Sequence, residues 1–113
     1  MPFINSKYSA SITDEQELAL KSALGDAISI LGKSEDWLML GFEQNCSLYF
    51  KGQKSEKIAF IDVSLLGDAG ADAYRKMTCE LCRIYGDILG VPSDKVYVKY
   101  SPTANWGWNN MNF

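Results

Sequence analysis

Few residues in this chain could do chemistry. Pro2 stands directly behind Met1, at the head of PFINSKY, a stretch with strand character. A residue this small lets the methionine be trimmed, which would leave Pro2 as a free secondary amine. An α-amine has a reference pKa of about 7.7–8.0, within reach of proton transfer near neutral pH. The structural alternative is plainer: proline brings no N–H to a sheet ladder and simply opens a strand. The chain has no histidine at all, so the usual general base and commonest metal ligand is missing. Three cysteines without histidine argue against a zinc site.

The closing stretch, NWGWNNMNF, is the second candidate. Trp106 and Trp108 have strand parity and should face one side, with Gly107 between them permitting close backbone approach. A C-terminal edge strand that docks through its aromatics would carry the same pattern. Cys79 and Cys82 form a C-x-x-C, a spacing that invites a redox reading. The pair falls inside a helix, however, and Cys82 lies 58 residues from Leu24, a core position. A buried cysteine acting as a small hydrophobe explains it better, and a thiol oxidoreductase is rejected.

The elements that must position these residues come in duplicate. ILGKSEDWLMLGF (Ile30 to Phe42) aligns without gaps with ILGVPSDKVYVKY (Ile88 to Tyr100), 58 residues on. Such self-similarity points to two copies of one supersecondary unit. The first helix starts near Thr13, where TDEQ has the form of a capping box. Leu20, Ala23, Leu24, Ala27 and Leu31 follow at helical spacing, and Gly32 supplies a left-handed stop. The second helix covers Ala71 to Leu89 with Met77, Leu81, Ile84 and Ile88 as its stripe, and stops at Gly90. Strands are expected at Pro2–Tyr8, Trp37–Phe42, Lys57–Leu66 and Val96–Tyr100, with a short extra one at Cys46–Phe50. The order is β-α-β twice, an α+β split βαβ arrangement with one four-stranded sheet and two helices on one face. Strand residues of both parities look largely apolar, so the open sheet face needs cover and association is expected.

Composition narrows the functional classes. The 113 residues, 47% apolar and 22% charged, fit one soluble domain spanning 1–113. A formal charge of −3 without any basic run leaves no footprint for nucleic acid. No stretch approaches a membrane span and no signal segment opens the chain, so a cytoplasmic location is the expectation.

Pro2 behind the methionine, LGKSED after the first helix, DKVYVKY after the second and ANWGWNNMNF at the end occur in fixed order. Together they resemble the macrophage migration inhibitory factor family of the tautomerase superfamily, which includes D-dopachrome tautomerase. The most specific part is N-x-G-W-N-x-x-x-F, here Asn105, Gly107, Trp108, Asn109 and Phe113. The resemblance implies a symmetric trimer with sites between subunits and no cofactor. It implies a keto–enol tautomerase of phenylpyruvate-like or dopachrome-like substrates with Pro2, after loss of Met1, as general base. Lys33, otherwise an ordinary cation past a helix C-terminus, would grip the substrate carboxylate or the developing enolate oxygen. The strand end at Leu66, or Leu65 beside it, would donate a backbone N–H to the same carboxylate. Tyr97 would come from a neighbouring subunit, although alone it reads as a strand aromatic. Trp106 and Phe113 would wall the pocket, and Trp37 would add to its rim.

Two departures stand out. Lys99 occupies the place where many relatives carry an asparagine, raising the local positive potential unless it turns to solvent. Trp106 replaces a commonly smaller aliphatic residue, which reshapes the pocket. Two other classes remain open beside the enzyme. One is a secreted cytokine-like protein, exported without a signal peptide, that acts by binding a host receptor. The other is a non-catalytic small-ligand module, because this architecture hosts many functions.

Overall fold

The computed structural model describes residues 1–113. Thr13 starts the first helix, α1 (Asp14–Ala27), through a reciprocal cap. Its hydroxyl accepts the Gln16 N–H at 3.1 Å, and the Gln16 carboxamide accepts the Thr13 N–H at 2.9 Å. The chain then tightens into a 3-10 turn over Ile28–Leu31 and stops at Gly32 with φ 73°. The second helix, α2 (Ala71–Leu89), stops at Gly90, also with φ 73°. Only glycine enters that left-handed region at no steric cost, so the duplication is written into the backbone itself.

The strands are β1 (Pro2–Tyr8), β2 (Met39–Glu43), β3 (Tyr49–Phe50), β4 (Gln53–Lys54), β5 (Ala59–Leu66), β6 (Val96–Thr103), β7 (Gly107–Trp108) and β8 (Met111–Asn112). Four of them form the main sheet in the order β2-β1-β5-β6. β1 runs parallel to β2, β5 runs parallel to β6, and β1 meets β5 antiparallel. Ile4 pairs with Leu40 and Ile61 pairs with Val98. Leu40 and Val98 are repeat equivalents, so a pseudo-two-fold axis through the sheet places Ile4 on Ile61 and Pro2 on Ala59. Both helices cover one face. Ile4, Tyr8, Ile61 and Val63 project into them and meet Leu20, Leu24, Met77, Leu81 and Tyr85 in one core, every one buried. Ser6 is the polar exception there, and its hydroxyl is hydrogen-bonded to the Tyr85 phenol, whose pKa burial pushes up to about 12.

Several expectations need correction. Trp37 is not in a strand, because the Ser34 hydroxyl accepts the Asp36 N–H at 3.1 Å and holds Glu35–Trp37 in a 3-10 turn. Cys46 donates its N–H to the Tyr8 carbonyl at 2.9 Å instead of starting a strand, and the short hairpin is β3–β4. The third main strand begins at Ala59, two residues after Lys57, whose ammonium bonds to the Leu89 carbonyl at 3.0 Å. In α2 the inward stripe takes Tyr85 fully and Ile88 only in part. Leu81 and Tyr85 occupy that stripe, and the next residue round the helix points about 100° away. Cys82 is consequently half-buried and Cys79 exposed, unlike the wholly buried Leu24. The open sheet face is also more polar than expected. Phe3, Phe60 and Leu66 share it with Asn5, Asp62, Ser64 and Lys99.

Candidate functional site

The N-terminus, the end of β5 and the C-terminal hairpin converge at one end of the sheet. Pro2 is buried and pairs with Leu65. Leu65 is itself wholly buried in the core, while Leu66, one residue on, turns its backbone toward the N-terminus. Its N–H donates to the Met1 carbonyl at 3.1 Å. The Lys33 ammonium donates to the Leu66 carbonyl at 2.8 Å, because Gly32 reverses the chain and aims the next residue back across the strand end. Lys33 and the Leu66 N–H thus sit beside the first peptide bond. The terminal amine in the structure is that of Met1. Burial first, and the Lys33 charge second, hold it below its ordinary value of 8.0.

On the other side of Pro2 lies a cavity of about 380 Å³, lined chiefly by Met1, Trp37, Met39, Trp106 and Trp108. That volume suits a small organic ligand. Trp37 reaches it from the capped turn at Ser34, and its ring meets Trp108 edge-on at 5.1 Å. Asn109 and Asn110 take positive φ values of 52° and 62°, the backbone of a two-residue hairpin turn. The hairpin is closed by the Phe113 N–H on the Trp106 carbonyl at 2.8 Å. A hollow of about 450 Å³ between α1 and β2, around Leu18, Leu38, Leu40 and Phe42, is larger. Its charged residues, Glu17 and Lys21, lie one turn apart on α1, whereas the Pro2 cavity is the one that meets the chain terminus.

The structure therefore gathers Pro2, Lys33, Leu66, Trp37 and Trp106 at one place. Phe113 belongs to it indirectly, stacked against Trp108 at 6.4 Å. Trp108, Met39 and Asp36 also line the cavity; of these, Trp108 was signalled by its shared parity with Trp106. Tyr97 and Lys99 are not gathered. Tyr97 pairs with Phe60 and packs edge-on against Phe50 at 5.3 Å, whereas Leu65, the partner of Pro2, pairs with Pro102. Tyr97 and Pro102 are five residue steps apart, roughly 16 Å along β6 alone. Within one chain, Tyr97 is out of reach of Pro2.

A model of the family "Macrophage migration inhibitory factor (MIF)" matches residues 1–113. The chain belongs to this family. Among solved structures it is similar to MIF2 of Leishmania major, with 30% identity, TM-score 0.93, and 100% of this chain and 97% of that one covered. The family homologue of Prochlorococcus marinus aligns at 23% identity and TM-score 0.87, covering 98% of each chain. Pt0534, solved after inactivation by 2-oxo-3-pentynoate, shares the fold at 14% identity and TM-score 0.81, covering 95% of this chain and 91% of that one. No curated protein sequence matches. The family fold of a four-stranded sheet with two helices is thus that of this chain, and its two β-α-β units are the ones described above.

Proposed function

We propose that this protein is a cofactor-independent keto–enol tautomerase of phenylpyruvate-like or dopachrome-like substrates, with Pro2 as general base once Met1 is removed. The observation that carries the reading is the hydrogen bond from the Leu66 N–H to the Met1 carbonyl, with Lys33 alongside. Removing Met1 frees that donor and moves the amine to Pro2. A substrate carboxylate then takes the place of the Met1 carbonyl, held by the Leu66 N–H and Lys33. The neutral Pro2 amine takes a proton from the carbon beside the ketone. The C–H electron pair moves into the new C=C bond, the C=O π pair moves onto oxygen, and the protonated Pro2 returns its proton to that oxygen, giving the enol and a neutral amine again. No atom is gained or lost. Trp37, Trp106 and Trp108 hold an aromatic ring against the cavity wall. Inactivation of the fold neighbour Pt0534 by 2-oxo-3-pentynoate, itself a 2-keto acid, supports the substrate class.

We infer that the working unit is a symmetric trimer. Tyr97 lies far from its own Pro2 yet is 60% exposed on the open sheet face, placed to enter the site of a neighbour. The buried Oδ1 of Asp62 on the same face has no hydrogen-bond partner, as expected of a surface completed by another copy. The test is turnover of phenylpyruvate by protein whose intact mass shows loss of Met1, beside a Pro2→Gly variant. Activity that disappears in the variant supports the reading; no turnover from protein with a free Pro2 refutes it.

A further inference from the structure

Lys99 has a charge that nothing in the chain uses. Its direct neighbour in register is Asp62, on the same open face, and one oxygen of that carboxylate is itself without a partner. The two nevertheless form no ion pair: the three salt bridges of the molecule all belong to α2, at Asp72–Arg75, Glu80–Arg83 and Arg83–Asp87. Lys33 is likewise without a carboxylate, its ammonium resting on the neutral Leu66 carbonyl. Two unpaired cations with exposed or half-exposed side chains are ordinary on a surface, but their placement here is not arbitrary.

Tyr97 and Lys99 are two residues apart on β6, so their side chains leave the same face of the strand. Any neighbouring copy that delivers Tyr97 to the Pro2 cavity delivers Lys99 with it. Lys33 and the Leu66 N–H hold one end of the substrate from one copy, and Lys99 arrives on a separate strand from another. Asp36, the acid lining the cavity, is exposed at its rim, where solvent screens its charge. In such an assembly the anion grip at Lys33 and the Leu66 N–H adjoins the indole-lined cavity through Met1 and Pro2, and a second cation faces in from the neighbouring copy's strand.

We propose that the preferred substrate is dianionic, an aromatic 2-keto acid that carries a second acidic group on its ring, with Lys99 of the adjoining copy as the residue that selects it. This rests on the tautomerase reading and on a site shared between copies. The second anion would pair with Lys99 in a partly dry cavity, where a charge-assisted bond is worth more than one in water.

The experiment compares kcat/KM for phenylpyruvate and for its ring-carboxylated analogue, 4-carboxyphenylpyruvate, at one pH and ionic strength. Wild-type protein should favour the diacid by about tenfold or more, the size expected of one charge-assisted contact. Lys99→Gln should bring the ratio close to one, Lys99→Glu should invert it, and Lys99→Arg should restore most of it. Added salt should shrink the wild-type preference. Pro2-dependent turnover of phenylpyruvate with no preference for the diacid, or a preference that survives Lys99→Gln, overturns the proposal and leaves the tautomerase reading standing. Turnover of neither substrate by protein with a free Pro2 overturns both.

Discussion

The Leu66 N–H and the Met1 carbonyl oxygen are hydrogen-bonded at 3.1 Å, so the first residue of the chain occupies the donor that the proposed mechanism assigns to a substrate oxygen. A protein that retains Met1, or carries any residue fused ahead of Pro2, is expected to lose activity on phenylpyruvate by about 100-fold or more, the range of a missing general base. Intact mass and steady-state rates on the same sample check this. Full activity from an extended N-terminus would show that the amine is not the base.

The pH profile follows from the depressed amine. Burial and the Lys33 charge both disfavour the protonated Met1 amine, and the Pro2 amine that replaces it after loss of Met1 is expected to meet the same two effects, its neutral form being populated at lower pH than in a free peptide. The acid limb of kcat/KM should therefore fall below pH 8. Lys33→Ala removes the second of the two causes, so its limb should move upward while the rate also drops from loss of the anion grip. A limb that stays in place in Lys33→Ala would separate that lysine from the amine.

The sites proposed between copies would permit complementation. Pro2→Gly and Tyr97→Ala variants should each be poorly active alone. Unfolded together and refolded as mixed assemblies, they should regain activity at about a quarter of the sites, those that combine an intact Pro2 with an intact neighbouring Tyr97. A mixture no better than its parts would put the site within a single chain.

Stability should track the core and the cap. Leu81 is wholly buried, and Leu81→Ala is expected to cost about 2–5 kcal/mol in urea unfolding. Thr13→Ala removes the hydroxyl that accepts the Gln16 N–H, at a cost of about 1 kcal/mol. A cap variant as damaging as the core variant would mean that the Thr13 hydroxyl contributes more than one capping bond.

The parts legible in the sequence were those encoded locally. The capping box at Thr13 and the stops at Gly32 and Gly90 depend on neighbours within a few residues and appear where the spacing puts them, while the α2 stripe holds at Met77, Leu81 and Ile84 but takes Tyr85 more fully than Ile88. Trp37 departs from the strand that its hydropathy suggests because the deciding interaction is a single side-chain cap by Ser34, a bond that hydropathy does not report. The rotation of α2 that leaves Cys82 half-buried is set by packing of Leu81 and Tyr85 against the sheet, beyond the reach of helical spacing alone. Pro2, Lys33 and Leu66 were named from motifs, yet what separates Leu66 from Leu65 is which way one peptide group faces. Gly41 shows the same limit: a side chain there would come within 2.6 Å of the Asn5 carboxamide oxygen, a contact between strands that only the register reveals.

The pseudo-two-fold that sets Pro2 upon Ala59 has an outcome for how labour is divided along the chain. Ala59 follows Ile58 through an ordinary peptide bond, so its nitrogen is an amide and can never act as a base. Duplication copied the scaffold but not the reactive nitrogen, which exists only where a polypeptide begins. On the proposed mechanism, a fused pair of β-α-β units thus has one basic end and one end relieved of catalysis. The relieved end is where Tyr97 stands, paired with Phe60 next to Ala59, open to serve as furniture for another molecule's chemistry.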